Sequence, residues 1–211
     1  MAFNGQEIRS VSMELKSHEF TPVQLEKLST REKIIQVTIG MISREGIHNL
    51  TTRSIATEAG VNIAAVNYYF GSKEKLIEES LNSALKHMFA DISDFFRNHE
   101  PAEAFRNIML YFLEGSVHYP GVIKAMLHDP INNNRYDTPM MQQIIQFIRE
   151  IIGRMEESSG AQEDSTKIKV MQMISAALMP ALLPDLFRSI LGDGFQTDHV
   201  MQQKYIDRFF G

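Results

Sequence analysis

The side chains whose types and spacing can do chemistry lie between Leu50 and Leu76, and their chemistry is contact with a polyanion rather than bond breaking. Arg53 can donate in parallel to guanine O6 and N7. Asn67 can pair with adenine or a phosphate, and Ile63, Ala64, Ala65 and Tyr68 offer apolar surface to thymine methyls. Periodicity puts these groups on two short helices. Thr51 is a suitable N-cap for the first, whose inner face carries Ile55, Ala56 and Ala59. Gly60 supplies the turn. Asn62 caps the second by accepting from the backbone N–H of Ala65, which sets Val66, Tyr69 and Phe70 on the core side and Ile63, Ala65 and Tyr68 outside. The pattern predicts a helix-turn-helix, the unit that lays one helix in the major groove of DNA.

At these residues the chain resembles the TetR family of bacterial transcriptional regulators. Thr52, Ile55-Ala56, Ala59-Gly60-Val61, Ala64, Tyr69-Phe70, Lys73-Glu74 and Leu76 meet the family pattern, and the likeness is specific over residues 30–80. Asn62 stands where Ser is usual, Asn67 where Tyr is frequent, and Thr38 where Ala is common. The resemblance implies that Thr52, Tyr69 and Lys73 meet backbone phosphates, for which two hydroxyls and an ammonium at a helix start are chemically apt. It also implies a divergent, all-helical second domain for effector binding and dimerisation.

Charge does not oppose this. The formal net charge is −5, but residues 29–76 hold six cationic side chains against four acidic ones, a surplus of two that leaves −7 for the remainder. A mildly basic head on an acidic body confines the attraction to phosphate to one end, which sets orientation more than affinity. With 211 residues, 44% of them hydrophobic, the chain can bury one large core or two smaller ones. There is no cysteine, which excludes disulfides and thiolate metal sites and fits a reducing cytoplasm. The N-terminus lacks a signal-like apolar run, and the stretch from Val170 to Leu191 is broken by Pro180, Pro184, Asp185 and Arg188, so a cytoplasmic protein without membrane attachment is expected.

Helices must position the motif. Ser29-Thr30-Arg31-Glu32 reads as a capping box opening a helix whose core face is Ile34, Ile35, Thr38, Met41 and Ile42, and which Gly46 ends. Ser72 caps a longer helix from Lys73 to about Arg97 that links both functions, its first turn near phosphate and its later half in the second domain. The expected division is an N-terminal extension over 1–28, a DNA-binding domain over 29–76 and a helical effector-binding and dimerisation domain over 77–211. A short helix after Pro22 or a flexible arm are both open for the extension.

Beyond Pro101 the apolar pattern continues as Phe105, Ile108, Met109, Phe112 and Leu113, then as Val122, Ile123, Met126 and Leu127 after Pro120. Residues 129–135 read as a loop. Met141, Ile144, Ile145, Ile148, Ile151, Ile152 and Met155 then form one narrow stripe, and a further helix from Ile168 carries Met171, Ile174, Ser175, Leu178 and Met179 on one side. Ser158-Ser159-Gly160 separates the two helices. Both stripes suit a four-helix bundle with a second copy, through Ile144, Ile148, Ile151, Met155, Met171, Ile174 and Leu178. Periodicity alone leaves open that both are intrachain core.

Thirteen Met and thirteen Phe suggest a pliable interior, and Met88, Phe89, Phe105, Met109, Phe112 and Met126 are the candidates to line a ligand chamber, although most residues of this kind at helical spacing serve packing alone. The seven His lack metal-ligand spacing, and no nucleophile elbow, phosphate loop or dinucleotide fingerprint is present, so neither catalysis, a metal nor a cofactor is expected. The sequence therefore points to an all-α, homodimeric repressor that leaves a near-palindromic DNA operator when a small apolar or amphipathic effector binds. The alternative is a constitutive DNA-associated protein that recruits a protein partner and senses nothing.

Overall fold

The computed structural model describes residues 25–159 and 163–210, and every regular element among them is a helix. The expectations for residues 1–24 and for Gly160 lie outside the described residues. Contacts divide the chain into two compact units that meet within one helix, between Ala84 and Leu85.

The first unit is built on α1 (Thr30–Glu45), α2 (Thr52–Ala59), α3 (Ile63–Phe70) and the start of α4 (Lys73–Asn98). The capping box at α1 forms as the sequence predicts: the Ser29 hydroxyl accepts from the Glu32 N–H, and the Glu32 carboxylate accepts from the Ser29 N–H at 3.0 Å. The Ser29 hydroxyl, which donates to the Glu32 carboxylate at 2.6 Å, and next the Ser29 N–H hold that carboxyl below its usual range. Ile34, Ile35, Thr38, Met41 and Ile42 are all buried with Leu50, Ile55, Ala59, Val66 and Phe70. Thr38 stands in this core because its hydroxyl donates to the Ile34 carbonyl at 2.7 Å, so burial leaves no unpaired donor.

The second unit contains the rest of α4, then α5 (Pro101–His118), α6 (Pro120–Met126), α7 (His128–Asn133), α8 (Pro139–Ser159), α9 (Glu163–Leu182), α10 (Pro184–Leu191), α11 (Gly194–Thr197) and α12 (His199–Asp207). Residues 129–133 are thus helical rather than loop. Pro130 falls in the first turn, where its missing N–H costs nothing, and Ile131 N–H donates to the Leu127 carbonyl. α9 likewise starts five residues before Ile168.

α5 is the axis of this unit. Phe105, Ile108, Met109 and Leu113 are fully enclosed, and α8, α9 and α12 pack around them. α12 runs antiparallel to α5, since Arg106 pairs with Asp207 at 2.6 Å while Glu114, two turns on, meets His199 at 3.1 Å. α9 contains Pro180, which cannot donate to the carbonyl of Ala176 one turn back. The Tyr205 hydroxyl of α12 donates to that carbonyl at 3.2 Å. Burial pushes the Tyr205 phenol up. No single helix among the described residues is long and apolar enough to cross a membrane.

Candidate nucleic-acid interface

α2 and α3 are short, so their caps decide where their side chains point. Thr51 is extended, at φ −125° and ψ 152°, and its hydroxyl accepts from the Ser54 N–H at 3.0 Å while Ser54 Oγ accepts from the Thr51 N–H at 3.0 Å. The sequence supplied Thr51 as the cap; the reciprocal partner, Ser54, is new. The box fixes the first turn of α2, which carries Thr52, half-buried, and Arg53, exposed. Gly60 then adopts a left-handed conformation, φ 65° and ψ 35°, that a Cβ would strain, and its N–H closes on the carbonyls of Ala56 and Thr57. Asn62 Oδ1 accepts from the Ala65 N–H at 2.7 Å, as the sequence predicts.

From that start, Val66 and Phe70 turn inward and are almost wholly buried. Ile63, Ala64 and Asn67 are exposed, Tyr68 is 84% exposed, and Ala65 is half-buried at the edge. Tyr69 differs from its expected place on the core side, being 39% exposed. It comes three positions after Val66 and one before Phe70, which puts it on the side of Val66 away from Phe70, so it falls on the boundary, where a phenol keeps its hydroxyl in water. Its ring lies edge-on to Tyr68 at 5.2 Å. One outward face therefore holds Ile63, Ala64, Asn67 and Tyr68, with Tyr69 beside it.

Lys73 opens α4, after Ser72 has capped it by accepting from the Lys75 N–H at 3.1 Å. The Lys73 ammonium is half-buried and donates to the Leu50 carbonyl at 3.2 Å, which ties the start of α4 to the residue preceding the Thr51 cap. This contact was not legible from the sequence. Arg31 is held by Glu79 and lies over the Phe70 ring, and Arg44 is held by Glu58, so neither contributes a free charge. Arg53 and Lys75 are exposed with no carboxylate in ion-pair range among the described residues. Lys75, to which the sequence assigned no role, thus joins Arg53 and Lys73 as positive charge of the first unit that no ion pair among the described residues takes up.

The other expected sites lie in the second unit. Phe105 and Met109 are fully enclosed, Phe112 and Met126 nearly so, and Met88 and Phe89 half-buried, with Phe89 stacked on Phe147 at 4.1 Å. An open groove of about 750 Å³ lies elsewhere, lined by Lys167, Ile168, Met171, Gln172, Ser175 and Phe209. Of the residues assigned to a dimer interface, Ile151 is 0% exposed and Ile174 nearly so, which leaves neither side chain for a partner. Ile144, Ile148, Met155 and Leu178 are half-buried, and Met171 is exposed. Ile174 faces its own unit because α9 is apolar on both sides, and Val170, Met173, Ala177 and Ala181 share the enclosed one.

Comparison with known proteins agrees with this geometry. Residues 34–80 match the family model described as bacterial regulatory proteins, tetR family. The chain is 29% identical over 86 residues to the HTH-type transcriptional regulator BetI of Vibrio campbellii, covering 41% of this chain and 43% of that one. It is 28% identical over 129 residues to the nucleoid occlusion factor SlmA of Pasteurella multocida, covering 60% and 63%. The match thus spans less than half of BetI and under two thirds of SlmA. A TetR transcriptional regulator from Legionella pneumophila shares the fold with a TM-score of 0.65 at 21% identity, over 86% of this chain and 97% of that one. Capped α2, left-handed Gly60, the outward face of α3 and the lysine at the start of α4 fall within the matched segment, and residues 34–80 are thus a segment characteristic of the tetR family of bacterial regulatory proteins.

Proposed function

We propose that the protein acts in the cytoplasm as a homodimeric repressor that holds a near-palindromic DNA operator and leaves it when a small apolar or amphipathic effector reaches its second unit. The observation that carries the DNA part is the outward face of α3, where Tyr68 and Asn67 stand in solvent, in the unit that also exposes Arg53 and Lys75. Thr52, Tyr69 and Lys73 take the phosphates in this reading, and Arg53, Ile63, Ala64, Ala65, Asn67 and Tyr68 the base edges.

The homodimer rests on α9. Val170, Met173, Ile174, Ala177 and Ala181 are enclosed on one side, while Ile168, Met171 and Met179 stand exposed on the opposite side around Ser175. A helix apolar on both sides requires cover on both. On α8, Ile151 is enclosed while Ile144, Ile148 and Met155 are half-buried, so the more exposed α9 face is taken as the centre of the interface and the α8 stripe as its margin. For release, the effector acts at the half-buried Phe89, which stacks on Phe147, since Phe105, Met109, Phe112 and Met126 are closed to solvent. α4 is unbroken from Lys73 to Asn98, so a displacement at Met88 or Phe89 travels about 20–25 Å of helix, at 1.5 Å per residue, to the phosphate anchor.

A second reading, constitutive DNA association with recruitment of a protein partner, is favoured by that closed interior and by the similarity to a nucleoid occlusion factor over 129 residues. The test screens compounds by thermal shift and assays each stabiliser for operator release. By linkage, a tenfold loss of DNA affinity corresponds to about 1.4 kcal/mol of coupling. Stabilisers that release the operator support the repressor. Stabilisers of the second unit that leave DNA affinity unchanged favour recruitment.

A further inference from the structure

We infer that Tyr205 latches a proline hinge in α9, and that α12, which carries it, lets α5 set the angle at which α9 continues beyond that hinge. The latch requires neither a second copy nor an effector. Pro180 lies inside α9 and is buried. Its ring nitrogen has no proton for the Ala176 carbonyl, and the ring presses against that carbonyl, so an interior proline kinks or breaks a helix that nothing else holds. Yet α9 continues to Leu182, and the Leu183 N–H still donates to the Met179 carbonyl at 3.0 Å.

A carbonyl without a donor and a phenol without an acceptor both cost free energy when they leave water. Here each supplies the other: the Tyr205 hydroxyl donates to the Ala176 carbonyl at 3.2 Å, and both residues are half-buried. Three rings aim that hydroxyl. Phe195 at 5.4 Å and Phe187 and Phe209 at 6.3 Å all meet the Tyr205 ring edge-on, at interplanar angles of 74° or 75°. Phe187 belongs to α10, so the same ring also steadies the helix that follows the hinge.

α12 is itself placed by α5. His199, its first residue, meets Glu114 at 3.1 Å, and Asp207, its last, meets Arg106 at 2.6 Å. Ile206 between them is fully enclosed. Tyr205 therefore stands on a strut held at both ends, and a shift of α5 moves the donor relative to the Ala176 carbonyl. Hydrogen bonds weaken steeply as their geometry departs from ideal, so a small shift is enough to free the hinge.

Amide hydrogen exchange of the full chain reads the hinge, because the N–H groups of Ala181, Leu182 and Leu183 lie just beyond it. Tyr205→Phe keeps the ring and removes the donor. It should speed exchange at these three positions about fivefold, the change expected from one net hydrogen bond, while residues 168–174 keep their rates. Asp207→Asn, at the α5 contact, should speed the same three about twofold. Pro180→Ala supplies the missing N–H from within α9, and in its background both substitutions should lose their effect on residues 181–183. Circular dichroism checks that each variant is folded, and if Tyr205→Phe is not, Asp207→Asn with and without Pro180→Ala decides the question alone. Unchanged exchange in a folded Tyr205→Phe chain overturns the latch. Equal acceleration with and without Pro180 overturns it too, since Tyr205 would then serve packing alone. A response to Tyr205→Phe without one to Asp207→Asn overturns the control by α5.

Discussion

Replacing Lys73 by methionine removes one charge and one hydrogen bond while keeping most of the aliphatic stem. Its ammonium donates to the Leu50 carbonyl at 3.2 Å, immediately before the cap that starts α2. A hydrogen bond from a charged donor contributes roughly 1.5–3 kcal/mol net, and screening at this half-exposed site brings this one to or just below that lower bound, about 1–1.5 kcal/mol. Urea unfolding of Lys73→Met should therefore show a lower midpoint with an unchanged slope. An ammonium carries three N–H donors, so the bond to Leu50 leaves two for a phosphate. Loss of that contact should reduce the slope of log K against log salt by about one. Lys73→Arg keeps the charge and should keep the salt slope. A lower slope at full stability would make Lys73 a phosphate contact alone, and lower stability at full slope would make it a strut alone. Wild-type values for both would refute the placement altogether.

Arg53→Ala should cost roughly 1–3 kcal/mol at one base pair per half-site and relax preference there; a binding-site profile identical to wild type would make Arg53 structural. Burial pushes the Tyr111 phenol up, and the Asp91 carboxylate that accepts its hydrogen bond at 2.7 Å acts in the same direction. The folded chain thus keeps a proton that the unfolded chain loses near pH 10, so the stability gained is complete below that pH and falls as pH rises above it. Tyr111→Phe should flatten this alkaline loss in unfolding measured from pH 9 to 11, and an unchanged profile would contradict the assignment. Ile151→Asp should abolish helical circular dichroism, because it buries an unpaired charge inside the second unit, whereas Met171→Glu should keep the fold and shift sedimentation toward monomer. The reverse pattern would return the interface to α8.

The first unit was legible because its signals are local. A cap and its third following residue, as at Ser29 with Glu32 or Asn62 with Ala65, settle their geometry within one turn. Tyr69 was misjudged because periodicity counts an aromatic as apolar and ignores its hydroxyl. α9 was harder: with apolar residues on both sides, spacing could not tell that Ile174 belongs with Val170 and Met173 rather than with Met171. The Lys73 tether to Leu50 and the pairing of Glu114 with His199 join positions 23 and 85 residues apart, and nothing at either position announces the other. The aromatic cluster of Phe187, Phe195 and Tyr205 is likewise a product of chain return rather than of local pattern.

Selection of DNA sequences from a random pool by the purified full-length chain tests the central claim most directly. Two outward α3 faces, one from each copy, predict enrichment of an inverted repeat whose half-sites lie about one helical turn or a small multiple apart. Enrichment should fade as salt is raised and be lost when Arg53 and Asn67 are both replaced by alanine. Failure to enrich any sequence at low salt, or recovery of the same repeat by that double variant, would contradict it.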